Sequence, residues 1–109
     1  MSGLLAAALL VLPCAAPDTG TAELRGRVRD ATARAAVAHA VVEVRPDDGS
    51  LRRSRTGRDG RYRVRSLAPG WLTVTVRHQG YRESRVRVRV SPGQCLDVDF
   101  TVELDPVEM

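Results

Sequence analysis

Hydrophobic and polar residues alternate with a period of two along most of the chain from residue 22 onward. The alternation is clearest where Arg and Val take turns and where apolar residues alternate with Asp, Thr and Glu near the end of the chain. This pattern is typical of antiparallel strands with one buried and one solvated face. It predicts seven strands, at residues 24–29, 38–45, 51–56, 61–65, 72–77, 85–90 and 95–104.

Short turn signals rich in Gly, Pro and Asp separate the predicted strands. Asp59-Gly60 suits a hairpin turn with positive φ, and Pro69-Gly70 suits a turn in which Pro fixes φ and Gly takes the left-handed conformation. Seven short strands without a helix predict an all-β domain, a seven-stranded β-sandwich. A small closed barrel is the alternative.

The last two predicted strands carry opposite charges. If they form a hairpin, their apolar faces align and their charged faces align with them, since a one-residue slip flips every side chain. A three-residue loop at 92–94 then places Arg89 opposite Asp97 and Arg87 opposite Asp99. Each such pair contributes roughly 0.2 to 1 kcal/mol. Much of the arginine is therefore expected to be paired on a solvated face, without a ligand.

The first twenty residues have a different character. Residues 4–12 are all apolar, a run too short to span a bilayer but the length of the hydrophobic region of an export signal. We interpret residues 1–20 as an export signal and exclude them from the fold. Residues 11–14 resemble a lipobox with Cys14 as the lipidated residue, although Pro13 departs from the lipobox pattern. Cleavage after Ala16 is the alternative, and Pro17 is a poor residue for the position after that cut.

Composition limits the remaining choices. The chain has 109 residues and 11.9 kDa, room for one domain and too little for a Rossmann or TIM-barrel enzyme. Two cysteines and two histidines exclude a disulfide-stapled miniprotein and a four-ligand zinc site, so no metal or cofactor is expected. The alternation predicts that Cys95 faces outward, and it is a single exposed thiol if Cys14 is lipidated or removed. Pairing of Cys95 with Cys14 is the alternative and requires that export leaves residue 14 in place.

All 17 basic residues are Arg, and the chain has 13 acidic residues. The arginines concentrate in residues 51–65. One interpretation is a face that binds a polyanion, namely nucleic acid, anionic lipid or acidic glycan. The favoured interpretation is a solvated β-face, and nucleic acid is not expected because the aromatic residues occupy core positions or strand starts. The candidate binding arginines are Arg52, Arg53, Arg55 and Arg63.

Five short motifs occur in a fixed order. Residues 26–30 read G-R-V-R-D, residues 37–44 read V-A-H-A-V-V-E-V, and residues 56–64 read T-G-R-D-G-R-Y-R-V. Residues 67–74 read L-A-P-G-W-L-T-V and are followed by Gly80-Tyr81. Together they resemble the carboxypeptidase regulatory-like domain, a transthyretin-like β-sandwich, over residues 23–104. The resemblance assigns that domain to residues 21–105 and leaves residues 106–109 as a C-terminal tail.

The resemblance implies a protein without enzymatic activity. In metallocarboxypeptidases this module follows a separate catalytic domain, which a chain of this length does not contain. The C-terminal Tyr-Arg-Gly-Ser motif of the neighbouring hydroxyisourate hydrolases is also missing, because the chain ends D-P-V-E-M. His39 and His78 are therefore interpreted as structural residues, and no catalytic residue is expected.

These observations predict a non-enzymatic accessory or binding module of the bacterial cell envelope. It would be exported as a periplasmic, lipid-anchored or secreted protein, and it would present sandwich edges and loops to a protein or carbohydrate partner. Trp71 and Tyr81 are candidates to stack a sugar ring, although packing at the sandwich edge is favoured for both. Membrane contact is expected only through a lipid on Cys14. The alternative function is an Arg-rich polyanion-binding protein.

Overall fold

The structure, a computed structural model, describes the backbone of residues 7–13 and all of residues 20–104. This part of the chain consists of strands, turns and loops, and it contains no helix that is long and apolar enough to cross a membrane. Its eight strands are β1 Ala7–Pro13, β2 Ala22–Asp30, β3 Val41–Pro46, β4 Arg52–Arg55, β5 Arg61–Leu67, β6 Gly70–Arg77, β7 Ser84–Val90 and β8 Gln94–Val102.

The strands form two four-stranded sheets. One has the order β1-β8-β2-β5, in which only β8 and β2 run parallel, and the other has the antiparallel order β4-β3-β6-β7. The sheets approach each other at β4 and β5 on one side and at β7 and β8 on the other. The seven strands expected from the alternation are confirmed, and two separate sheets make a sandwich rather than a closed barrel.

The core lies between the two sheets and is built from the alternating apolar positions. Fully burying one Val, Leu or Phe side chain stabilises the fold by roughly 1.5–3 kcal/mol. The largest fully buried side chains are Phe100, Leu24, Leu67, Leu72, Val28, Val42, Val44, Val74, Val76, Val98 and Val102.

The expected hairpin between the last two strands is wrong. β7 pairs with β6 in one sheet, whereas β8 pairs with β1 and β2 in the other. Arg87 therefore pairs with Asp47 at 3.2 Å instead of Asp99, and Arg89 forms no ion pair with any described residue. Alternation fixes which face of a strand is buried, and β7 and β8 satisfy it by facing each other across the core.

The N-terminal apolar segment adds a strand that the sequence interpretation left out of the fold. β1 lies antiparallel to β8, from Ala7 beside Phe100 to Pro13 beside Gln94. An apolar extended segment can occupy this position because β8 would otherwise be the edge of its sheet. Residues 1–6, 14–19 and 105–109 lie outside the described residues, so the export signal, lipidation of Cys14 and the C-terminal tail stay predictions.

Cys95 is not the exposed thiol that the alternation predicts. Its exposed fraction is 3%, and it is disulfide-bonded. It lies on the outer face of β8, but β8 is an inner strand flanked by β1 and β2, and the neighbouring Glu23 on β2 is buried as well. Alternation alone does not predict this burial, because it does not show that β8 has a neighbour on both sides.

A close approach between β2 and β8 shapes one end of the core. A Cβ atom on Gly26 would overlap the carbonyl oxygen of Val98, so only glycine fits there. Tyr62 lies opposite Gly26 on β5 and donates its hydroxyl hydrogen bond across it to the same carbonyl oxygen, at 2.5 Å. Burial raises the pKa of Tyr62, so its hydroxyl stays protonated.

Candidate functional site

A shallow groove of about 750 Å³ lies against the outer face of the β1-β8-β2-β5 sheet. We call it the arginine groove. Arginines from β2, β4 and β5 line it together with Ser54 and two aspartates of β8. The six arginines are Arg25, Arg27, Arg29, Arg55, Arg61 and Arg63, and the aspartates are Asp97 and Asp99.

Strand register places arginines directly opposite each other in this groove. Arg25 lies beside Arg63, and Arg27 lies beside Arg61, on the antiparallel strands β2 and β5. Like charges in directly opposed positions destabilise a sheet. On the other side of β2, Asp97 lies beside Arg25 in register. The groove therefore contains repulsive arginine pairs that one row of acidic residues offsets only in part.

Only some of these arginines have a partner. Arg63 pairs with Glu23 at 2.7 Å, and Arg61 pairs with Asp59 at 3.5 Å. The remaining four, Arg25, Arg27, Arg29 and Arg55, make no ion pair with any described residue. A guanidinium group offers five N–H donors in a planar fork that matches carboxylate, sulfate and phosphate groups. The groove is thus suited to bind an anion with several such groups.

The candidate arginines of the sequence analysis are divided between two surfaces. Arg55 and Arg63 line the arginine groove, whereas Arg53 pairs at 3.2 Å with Glu43 on the other sheet. Arg52 is exposed on the edge strand β4. The β2 arginines at positions 25, 27 and 29 were not among the candidates. Their signal was the same Arg alternation, but nothing in the sequence shows that β2 lies next to β5.

Trp71 and Tyr81 lie at opposite ends of β6. A strand advances about 3.3 Å per residue, so the six steps from Trp71 to Arg77 alone span about 20 Å. The two aromatic rings therefore cannot stack on one sugar ring. Trp71 is 45% exposed, and the Arg87 guanidinium lies 5.1 Å from the centre of its ring.

The end loops are divided in the same way. The 46–50 loop and the 67–70 loop meet at the Trp71 end, where the Asp47 N–H donates to the Trp71 carbonyl at 3.0 Å. The 79–81 loop follows β6 at the opposite end. A partner that contacts all three loops at one end of the sandwich is excluded by this arrangement.

The Tyr81 hydroxyl donates to Asp30 Oδ2 at 2.7 Å. Asp30 Oδ1 accepts the N–H groups of Thr32 and Ala33 at 2.8 Å each. The Ala33 N–H, the Tyr81 hydroxyl and the Thr32 N–H hold the pKa of Asp30 below its usual value, and the Asp30 bond raises the pKa of Tyr81. Tyr81 therefore fastens the turn after β2 to the segment after β6.

The two histidines lie in a second open groove of about 390 Å³. His78 meets the Tyr81 ring edge-on at 5.3 Å, and its Nδ1 lies 2.8 Å from the Gln79 carbonyl oxygen. The prediction that His39 lies in a strand is wrong. β3 begins at Val41, and His39 occupies an exposed turn with φ of 63°. No group of three or more metal-binding side chains occurs among the described residues.

Comparison with solved structures shows the same fold in proteins of different kinds. The chain matches hydroxyquinol 1,2-dioxygenase from Pseudomonas putida DLL-E4 with a TM-score of 0.64 and 15% identity, over 82% of this chain and 58% of that one. It matches the pilus 2b backbone protein of group B streptococcus with a TM-score of 0.63 and 12% identity, over 77% and 41%. At these identities the likeness shows the fold alone.

A third match is the dioxygenase domain of a dioxygenase carbohydrate-binding protein fusion from Streptomyces sp. SirexAA-E. Its TM-score is 0.60 at 14% identity, over 86% of both chains. In contrast, the chain spans only 58–64% of the length of the first three dioxygenases that it matches. No curated protein matches the sequence.

The family comparison covers the sandwich from β2 to the end of β8. The family model of the carboxypeptidase regulatory-like domain matches residues 23–103. This chain therefore belongs to the carboxypeptidase regulatory-like domain family.

Proposed function

We propose that this chain is a non-enzymatic binding module of the bacterial cell envelope and that its arginine groove binds an acidic polysaccharide. The observation that carries the proposal is the set of arginines without an ion partner in one groove, beside arginines that face each other in register. A bound polyanion would place negative charge between the opposed arginines and relieve their repulsion.

The spacing of the arginines fits a chain of repeated anionic groups. Arg25 and Arg27 lie two residues apart on β2, a separation of about 6.6 Å along the strand. Arg63 and Arg61 repeat that spacing on the neighbouring strand, about 5 Å away. Two parallel rows of cations at this spacing can follow a linear polymer with one carboxylate or sulfate on each sugar.

Nucleic acid is the less favoured polyanion. Proteins that bind single strands combine a basic groove with exposed aromatic rings on which bases stack. The one aromatic residue of the arginine groove, Tyr62, is buried, with 3% exposed. Trp71 belongs to the other sheet and already contacts Arg87.

Export and the absence of catalysis are part of the same proposal. The apolar run at residues 4–12 supports export to a compartment where acidic polysaccharides occur. The histidine groove supports a non-enzymatic role, because His78 faces Tyr81 and a backbone carbonyl, and His39 lies in an exposed turn. The intact mass of the native protein, measured in membrane and soluble fractions, tests export. A chain that keeps residues 1–16 in the cytosol would contradict it.

Binding is tested with heparin as a sulfated probe, polygalacturonate as a carboxylated probe and dextran as an uncharged control. The test variant is Arg25→Gln/Arg27→Gln, which removes two groove charges and breaks no ion pair. Arg45→Gln/Arg89→Gln is the matched control, since both residues are exposed on the other sheet and also lack ion pairs among the described residues.

We expect the groove variant to bind both anionic probes at least about tenfold more weakly. The slope of log affinity against log salt concentration should fall by about 1.5, since each lost anion contact removes about 0.7–0.9. The control variant should bind like the wild type, and dextran should not bind. Equal losses in both variants would mean that affinity is spread over the whole charged surface, which would contradict a site in the groove.

A further inference from the structure

The side of the sandwich opposite β4 and β5 brings two strand edges together. β7 ends the β4-β3-β6-β7 sheet, and no described strand pairs with its outer edge. β8 approaches β7 on this side, and its own outer edge carries β1. If β1 leaves, both sheets end here in strands with unpaired backbone groups, which readily pair with another chain.

The two edges are complementary in charge and in pattern. β7 alternates Arg with Val, and β8 alternates Asp with Leu, Val and Phe over residues 96–100. Arg89 makes no ion pair, and Asp97 makes no ion pair or side-chain hydrogen bond, with any described residue. A β7 strand beside a β8 strand would therefore join two charges that have no partner within the described chain.

Geometry allows this pairing between two copies in a closed dimer. The turn at 91–93 joins β7 to β8, so the two strands run in opposite directions at the same side of the sandwich. A twofold axis parallel to the strands places β7 of one copy antiparallel to β8 of the other, with their charged faces on the same side. In the register that aligns Arg89 with the partner's Asp97, Val88 lies beside the partner's Val98.

Pairing of like edges is disfavoured by charge. Two β8 edges paired antiparallel about Asp97 would place acidic residues opposite each other, and two β7 edges would align arginines. In a twofold dimer joined through unlike edges, β7 of each copy pairs with β8 of the other copy, so the interface contains two equivalent strand pairs.

We propose that β7 and β8 form a twofold interface with a second copy of this chain, and that β1 blocks this interface until it is removed or displaced. Removal of β1 by export processing rests on the function proposed above, but the interface itself does not. The assay for the interface is self-association, which is independent of polysaccharide binding, so either proposal can fail while the other stands.

The full-length chain allows a direct test by displacing β1. Leu10→Pro removes a backbone N–H and disrupts strand pairing, and Leu10→Asp places a like charge beside Asp97 in register. Sedimentation velocity measures the mass of each variant, with circular dichroism to verify that the strands remain. The samples contain a reductant because Cys95 on β8 is disulfide-bonded.

We expect the wild type to sediment at its chain mass of 11.9 kDa and both Leu10 variants at twice that mass. In the Leu10→Pro background, where the displacement of β1 does not depend on the charge at position 97, adding Arg89→Glu or Asp97→Arg should weaken the dimer about tenfold or more, and combining the two should restore it with the charges exchanged. Arg45→Glu, on the same outer face but away from the edge, is the control and should leave the dimer unchanged.

Three results would overturn the proposal. The first is a folded Leu10→Asp variant that remains a monomer at about 100 µM, well above the micromolar range in which modest interfaces associate. The second is a dimer that Arg89→Glu leaves intact, which would place the interface elsewhere. The third is a charge exchange that does not restore the dimer lost in the single variants.

Discussion

Tyr62→Phe removes one buried oxygen atom and leaves the aromatic ring in place. The Tyr62 hydroxyl donates to the Val98 carbonyl oxygen at 2.5 Å, at the point where Gly26 lies between β5 and β8. Without it, a buried carbonyl loses its donor, whereas the ring keeps its tilted contact with Phe100 at 6.2 Å between centroids. Leaving a buried polar group unsatisfied costs about 1–3 kcal/mol, so the free energy of unfolding should fall by that amount.

The assay is urea unfolding followed by circular dichroism. The midpoint should fall without a change in the slope m, because the fold and its buried area are unchanged. The melting temperature should fall by about 4–8 °C for each kcal/mol in a domain of this size. Tyr62→Leu is the comparison variant and should lose more, since it also removes the ring. A Tyr62→Phe variant within about 0.3 kcal/mol of the wild type would refute the argument, because that lies below the cost of an unsatisfied buried carbonyl.

Three further predictions follow from other contacts. Gly26→Ala should destabilise the domain by about 3 kcal/mol or more, measured by the same urea unfolding, because the new Cβ overlaps the backbone of Val98. In an Asp97→Asn background, which removes the attraction from the other side of β2, Arg25→Gln should stabilise the domain by about 0.2–1 kcal/mol at low salt, and the gain should vanish at high salt, because Arg25 faces Arg63. A gain that persists in high salt would contradict repulsion as its cause. The lowered pKa of Asp30 contributes stability that is present above about pH 4 and is lost as the pH falls through the folded pKa. Tyr81→Phe should move the acid unfolding midpoint to higher pH, because Asp30 loses one donor, and an unchanged midpoint would mean that Tyr81 does not hold the Asp30 carboxylate.

The sequence predicts the strands well because each depends on local chemistry. Alternation marks which positions are buried, and Gly, Pro and Asp mark where strands must turn, so all seven expected strands occur in the sandwich. The observed strand bounds differ from the predicted ones where a turn extends beyond the residues that signal it in the sequence. At His39, a left-handed backbone delays β3 to Val41, although the side chains around it are apolar.

Strand partners are less predictable because they depend on contacts between distant segments. The expected hairpin of β7 and β8 agrees with the alternation, the loop length and the charges. The structure also agrees with the alternation and the short loop, but it places the two strands in different sheets. The candidate site was incomplete for the same reason. β2 lies between β5 and β8, so Arg25 meets Arg63 across 38 positions of sequence, a contact that no local pattern indicates.

The distribution of charge supports the binding role proposed for the arginine groove. Residues 20–104 contain all 17 arginines but only ten acidic residues, and two of these, Glu23 and Asp30, are buried. A soluble protein needs surface charges of both signs, but solubility does not require arginines to lie opposite each other on neighbouring strands. The arginines of the Arg25–Arg63 and Arg27–Arg61 pairs repel each other, and Glu23 and Asp59 pair with Arg63 and Arg61 but leave Arg25 and Arg27 without an ion pair to any described residue. A bound anionic ligand would make the electrostatic energy of these arginines favourable, because its negative groups would attract the same side chains that repel each other in the unbound protein. We therefore expect heparin to raise the urea midpoint of the wild type and to leave that of Arg25→Gln/Arg27→Gln unchanged. This result would show that the arginines that repel each other in the free groove are the ones that bind the anion.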